Sequence, residues 1–346
     1  MRMSPFLFYA IVLPLFALLA LAGILIGSAP LRWSSVFHVL ALKMLPTGWI
    51  DPSSVSSGEQ AIVWLIRLPR VIVAAVVGAG LAAAGAMMQS LFRNPLADPG
   101  LTGVGPGAVL GAVVVFVTGW TTISVVALPL TAITSALLAL LLVYGVATRA
   151  GVTPTTTLLL SGIAIGAFLT AISSLLLSLN VVTWQVAQEI VFWTMGGLES
   201  RTWAHVWLST PFIAIGLMSA WLQSRTMDLL LLGEPHAASR GVDVEGSKRI
   251  LLVTAALLTG ASVAVAGLIG FVGLVVPHGV RLLLGPRHRT LLPAAAIAGA
   301  AFLIACDIAA RTARPPAEIR LGVVTALCGA PLFLIILLKR LRGDAR

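Results

Sequence analysis

Residues 99–148 read PGLTGVGPGAVLGAVVVFVTGWTTISVVALPLTAITSALLALLLVYGVAT, 50 residues without an Asp, Glu, Lys or Arg. A helix rises about 1.5 Å per residue, so about 20 apolar residues cross the roughly 30 Å hydrocarbon layer of a bilayer. This run holds two crossings, with Thr118-Gly119-Trp120-Thr121-Thr122 as the turn between them. Charge-free runs of spanning size recur at 3–31, 71–92, 150–188, 202–224 and 250–280, and shorter ones at 290–306 and 321–338. The 346-residue chain is 59% hydrophobic and 10% charged, with a mean hydropathy of +1.04. One soluble core cannot hide that much apolar surface, so lipid is part of the solvent and the chain is an all-α integral membrane protein.

The pattern predicts helices near 6–28, 64–92, 99–118, 122–148, 154–180, 203–224, 247–268, 274–285, 290–312 and 319–340. The eighth is interrupted by Pro277, His278 and Arg281. The basic tail Lys339-Arg340-Leu341-Arg342 and the short basic start Met1-Arg2-Met3 put both ends in the cytoplasm, which requires an even number of spans, ten. On that topology fourteen of the 22 basic residues lie inside. Eight lie outside: Arg32, Lys43, Arg67, Arg70, Arg201, Arg311, Arg314 and Arg320. The first apolar run is longer than a signal-peptide core of about 7–15 residues and reads as an uncleaved helix. The net charge of +10 reports orientation and leaflet electrostatics rather than nucleic-acid binding. Residues 181–201, with Trp184, Trp193 and Glu189, read as an interfacial helix with aromatic anchors. A faint echo relates 70–103 to 249–285 with opposite sense, in the manner of inverted transporter repeats. Gly103, Gly107 and Gly111 recur every four residues, as in close helix packing.

Against this background residues 225–249 stand out. Arg225, Asp228, Glu234, Arg240, Asp243, Glu245, Lys248 and Arg249 crowd between apolar runs, four basic and four acidic. Within them Gly233 and Gly241 bracket a potential short helix. Even charge balance argues against a membrane-binding patch and for a handle gripped by something outside the bilayer.

Chemistry is sparse. None of the three lysines follows a glycine, so no phosphate loop is present and the chain does not hydrolyse ATP by itself. The five histidines form no pair at helical ligand spacing, and no metal site is expected. Ser161 and His278 are candidates for a serine dyad, but Leu160-Ser161-Gly162 lacks the Gly-x-Ser turn. Ion-coupled transport favours intramembrane carboxylates, and only Asp307 qualifies, with Arg311 one turn away as its neutralising partner. Driving energy therefore has to come from another subunit.

Several blocks, in order, resemble the permease subunits of the ABC importers for iron-siderophores, haem and cobalamin. They are Arg67-Leu68-Pro69-Arg70, the run Met88-Gln89-Ser90-Leu91-Phe92-Arg93-Asn94-Pro95-Leu96-Ala97-Asp98-Pro99, Leu158-Leu159-Leu160-Ser161-Gly162, and Met195-Gly196-Gly197-Leu198. Gly233-Glu234 with Gly241-Val242, Gly270-Phe271-Val272-Gly273 through Pro277-His278, and Glu318-Ile319-Arg320-Leu321-Gly322 complete the series. The resemblance spans nearly the whole chain, 1–346, as one transmembrane domain. It implies the type II importer fold with ten spans, an inner-membrane homodimer, two cytoplasmic ATPases that use ATP and Mg, and one periplasmic binding protein. It implies no cofactor on this chain. Gly233, Glu234, Ala237 and Gly241 are then the ATPase-coupling loop, though Arg240 stands where the family often has leucine. Arg67, Arg70 and Arg311 would dock the binding protein. Asn94, Leu96, Thr155 and Thr156 would form the cytoplasmic gate. Arg320 departs from the family's usual proline and is open between docking and substrate contact. Haem is the expected cargo, with ferric siderophore and cobalamin as alternatives.

Overall fold

The computed structural model describes residues 3–27, 29–46, 51, 55–120, 123–124, 126–179, 184–315 and 317–344. Arg2, Pro52, Thr121, Thr122, residues 181–183 and the side chains of Lys339, Arg340 and Arg342 lie outside that description, so the orientation and turn readings that use them are not addressed. In chain order the elements are α1 (Pro5–Leu25), α2 (Trp33–Met44), α3 (Ser57–Ala61) and a π-helical stretch (Ile62–Arg67) running into α4 (Leu68–Leu91). A 3₁₀ turn (Pro99–Thr102) leads to α5 (Val104–Thr118), α6 (Ala127–Ala147), α7 (Thr155–Leu179), α8 (Trp184–Thr194) and α9 (Trp203–Leu222). The rest is α10 (Ser224–Leu230), α11 (Glu234–Ser239), α12 (Val244–Ala266), α13 (Val272–Leu284), α14 (His288–Thr312) and α15 (Leu321–Asp344). Among the described residues seven helices are long and apolar enough to cross a membrane, and α5, α13 and the first part of α15 are shorter apolar helices.

Departures from the expected boundaries have local causes. The third predicted helix starts late because Pro99 and Gly100 form a 3₁₀ turn and Gly103 adopts φ +77° before α5 can begin. Phe271 opens α13 in the same left-handed region, at φ +68°. Each of these short helices follows a break after a long one, α4 and α12, which gives the faint internal echo a structural counterpart. α8 is the helix expected around Trp184 and Trp193.

The buried helix α4 lies at the centre, packed by α14, α12, α13 and α9. Small residues allow this. A Cβ on Gly85 would fall 1.8 Å from the Gly273 carbonyl oxygen, so α4 and α13 touch backbone to backbone. In a bilayer, where lipid competes for every apolar surface, such close approach is a main source of helix association. A Cβ added to Gly107 or Gly111 would likewise fall 2.5 Å from the Ala139 Cβ or the Thr131 carbonyl oxygen, so α5 packs closely on α6, whereas Gly103 serves as the start of α5.

The two ends of the bundle differ. Met3 donates to the Leu283 carbonyl, so the N-terminus lies at the end that carries α10 and α11. α15 starts far from that end, where Leu321 N–H meets the Gly196 carbonyl, and runs back toward it.

Candidate coupling and gating site

At the loop end, Gly233 (φ +113°) and Gly241 (φ +80°) hold backbone conformations that side chains resist, and α11 lies between them. Ala237 is fully buried, and its carbonyl accepts from the Arg240 and Val242 N–H groups. Of the four residues expected to form the coupling loop, Gly233 and Ala237 therefore build its scaffold, and Glu234 is only part-exposed. The outward face is Pro235, His236, Ala238, Ser239 and Arg240, with Leu232 projecting beside it at 65% exposed. Leu232 offers an apolar contact in the loop where Arg240 does not.

Beneath α11 lies a group the sequence reading did not single out. Lys248, one turn into α12, is 1% exposed. Its Nζ donates to Glu234 Oε2 at 2.7 Å, Glu245 Oε1 at 2.9 Å and the Thr153 carbonyl at 2.9 Å. The other oxygen of Glu245 accepts from the Thr153 N–H at 3.1 Å. An ammonium buried this deeply is tolerated because all three protons meet acceptors, two of them anionic. The hub joins α11, the start of α12 and the connection between α6 and α7, two residues before Thr155. Glu245 and Lys248 are three apart, a spacing visible in sequence. Thr153, 95 positions from Lys248, gave no such signal.

The expected gate residues lie at the same end. Asn94 Oδ1 accepts from the Leu96 N–H at 2.9 Å, a local turn that leaves both side chains exposed, Leu96 at 39%. Thr155 and Thr156 begin α7, with Thr156 exposed. The loop reaches both segments. Ser90 Oγ donates to the Met227 carbonyl in α10, and Arg93 Nη1 lies 3.7 Å from where a Gly233 Cβ would sit. Asp228 in α10 accepts from the His288 N–H at 2.8 Å and pairs with its Nδ1 at 2.7 Å, pinning α10 to the start of α14. Burial pushes the Asp228 carboxyl up, but these hydrogen bonds outweigh it and hold the group below the usual carboxylate range.

At the opposite end Arg67, Arg70 and Arg311 do converge, but their guanidinium groups turn into the chain, each under a tenth exposed. Arg67 donates to the carbonyls of Ile24 (2.9 Å), Leu25 (2.7 Å) and Ala29, and Arg311 to those of Gly23 (3.2 Å) and Ile26 (3.1 Å). Most of these acceptors are the C-terminal carbonyls of α1, which lack helical partners and favour positive charge. Arg70 pairs with Asp307 (2.8 Å) and Glu318 (2.7 Å), and Arg311 pairs with Asp307 at 3.1 Å, the i, i+4 pair expected from sequence. In this conformation the trio ties α1, α4 and α14 together. Arg320 pairs with Glu199 and lies 4.0 Å from the Phe192 ring centroid, in a recess of about 380 Å³ shared with Trp193 and Arg201. Burial there pushes Arg201 down to about 10, with Glu199 opposing and Arg70 adding.

The chain is similar over most of its length to known transport permeases. The chain is 41% identical over 333 residues to a cobalamin import system permease protein, BtuC, of Halobacterium salinarum, covering 93% of this chain and 88% of that one. It is 40% identical over 323 residues to a vitamin B12 import system permease protein, BtuC, of Escherichia coli, covering 89% and 95%. A solved inward-facing conformation of a metal-chelate type ABC transporter superposes with a TM-score of 0.84 at 29% identity, covering 97% of this chain and all of that one. The model of the FecCD transport family matches residues 15–339, and the chain belongs to that family of ABC transport permeases.

Proposed function

We propose that the chain is the membrane permease of an ATP-driven importer for a corrinoid of the cobalamin type, working as a homodimer with two ATPase subunits and one binding protein. One observation carries the choice of cargo: relatives of about 40% identity over nearly the full length are cobalamin permeases. They favour cobalamin over the haem expected from sequence. The recess at Arg320 is consistent with this, because Glu189 and Glu199 balance Arg201 and Arg320. An amide-rich, nearly neutral chelate suits such a surface better than a dianionic porphyrin.

In this reading the seven long and three shorter apolar helices make ten passes, and the α10–α11 end faces the cytoplasm. The ATPase grips the outward face of α11 and Leu232. The Lys248 hub carries that displacement to the start of α7, and the Ser90–Met227 contact carries it to the segment holding Asn94 and Leu96. The gate then opens without chemistry on this chain, as a shift between two packed states. ATP hydrolysis belongs to the partner subunits. The binding protein docks over the Arg67, Arg70 and Arg311 cluster, where the part-exposed Glu318 is the carboxylate most easily exchanged for one from a partner.

The test is uptake into proteoliposomes that contain the permease, its ATPase and its binding protein, with labelled cobalamin, haem and a ferric siderophore in parallel. ATP-dependent accumulation of cobalamin alone supports the reading. Accumulation of another chelate in its place overturns the cargo, and uptake indifferent to ATP overturns the mechanism.

A further inference from the structure

Helices α9 and α14 both pack on α4 but scarcely touch each other. The gap between them is a continuous apolar groove. Its floor is Ala75, Ala79 and Ala83 of α4, and Ala214 and Leu217 on α9 face Ala296 and Ile297 on α14 along both halves. The halves measure about 320 and 580 Å³. Phe16 of α1 lines one end and Trp221 the other. From Thr210 to Trp221 the α9 wall spans twelve residues, a rise of about 16 Å, close to the hydrocarbon depth of one leaflet. A cavity lined this way does not hold water.

The mouth is different. Arg289 is exposed and its guanidinium carbon lies 5.9 Å from the Trp221 ring centroid. The Asp228–His288 contact fixes α10 at the same corner, where Arg287 adds a second positive charge close to Asp228. A leaflet-length apolar slot ending in tryptophan and clustered arginine matches one chemistry, an acyl chain with an anionic head. We propose that the groove is a specific site for an anionic phospholipid, with one acyl chain between α9 and α14 and its phosphate at Arg289. The lipid supplies the packing that α9 and α14 do not give each other, directly beneath α10. The site rests on the membrane-spanning fold and is independent of the cargo.

The test uses the purified, delipidated permease. It is titrated with phosphatidylglycerol, with phosphatidylcholine of the same chains, and with inorganic phosphate, and bound lipid is counted by native mass spectrometry. One phosphatidylglycerol per chain is expected to be retained, with phosphatidylcholine about tenfold weaker and phosphate unable to displace either. Arg289→Gln, a surface change, should weaken phosphatidylglycerol about tenfold without altering the lipid-free melting temperature. Ala296→Phe, which fills the slot, should abolish retention of both lipids. Equal retention of phosphatidylglycerol by wild type and Arg289→Gln overturns the proposal, as does its displacement by phosphate alone or unchanged lipid binding in a folded Ala296→Phe protein.

Discussion

Replacing Lys248 with methionine probes the connection between the loop and the gate. The substitution keeps most of the side-chain volume and removes one charge that makes three hydrogen bonds. Removing one partner from a buried ion pair costs about 3–5 kcal/mol. Here the carboxylates of Glu234 and Glu245 are 34% and 21% exposed, so water rescreens part of the loss. What remains is an unsatisfied Thr153 carbonyl and the repulsion of two neighbouring carboxylates, together about 2–3 kcal/mol. A loss of about 2 kcal/mol in the tie changes the loop–gate population ratio roughly thirtyfold. Lys248→Met should therefore lower the melting temperature by several degrees, keep ATP hydrolysis by the assembled transporter, and reduce cargo moved per ATP at least tenfold. The triple variant Glu234→Gln, Glu245→Gln, Lys248→Met has no orphaned charge and should regain most of the stability but not the coupling. Wild-type transport per ATP in Lys248→Met would refute the reasoning, and so would full recovery of coupling in the triple variant.

Other perturbations reach other parts of the molecule. Asp307→Ala strands Arg70 and Arg311 in the interior and should cost about 3–5 kcal/mol, whereas Glu318→Gln, at the wetter edge, should cost about 1 kcal/mol; similar melting temperatures for the two would contradict the network. Gly85→Ala forces a methyl into the Gly273 carbonyl and should cost at least about 3 kcal/mol, read as loss of the monodisperse peak in detergent. The folded Asp228 carboxyl titrates below its unfolded value of about 3.9, so its stabilisation is complete above that pH and disappears as pH falls through the folded value. Asp228→Asn should then be less stable than wild type at pH 7 by about 1 kcal/mol, the gap closing as the pH falls through the folded value; a gap that stays constant as the solution is acidified would count against the assignment.

The helices were legible because lipid imposes one rule on every span: apolar, uncharged and about 20 residues long. The breaks before α5 and α13 were less so, since Gly103 and Phe271 take the same backbone conformation and only one is a residue that announces it. The glycine brackets of α11 could be read because Gly233 and Gly241 are local signals. The Lys248 hub could not, because its meaning depends on Thr153, which is brought there by the α6–α7 connection. The arginines at the far end were expected to form a docking surface because they match the arginines of the family that the chain resembles. Burial is a tertiary property, and in the folded chain it gives them the carbonyls of α1 and the carboxylate of Asp307.

The most direct test of the account is a pair of spin-label distances measured through the nucleotide cycle of the assembled transporter. Labels on Ser239 and Thr156 of one chain report the loop relative to the gate, and labels on Thr156 of both chains report the gate itself. The account predicts that the first distance stays constant when ATP binds while the second changes. A gate distance that changes while the loop-to-gate distance shifts by a similar amount would show that the two move independently, and would contradict it.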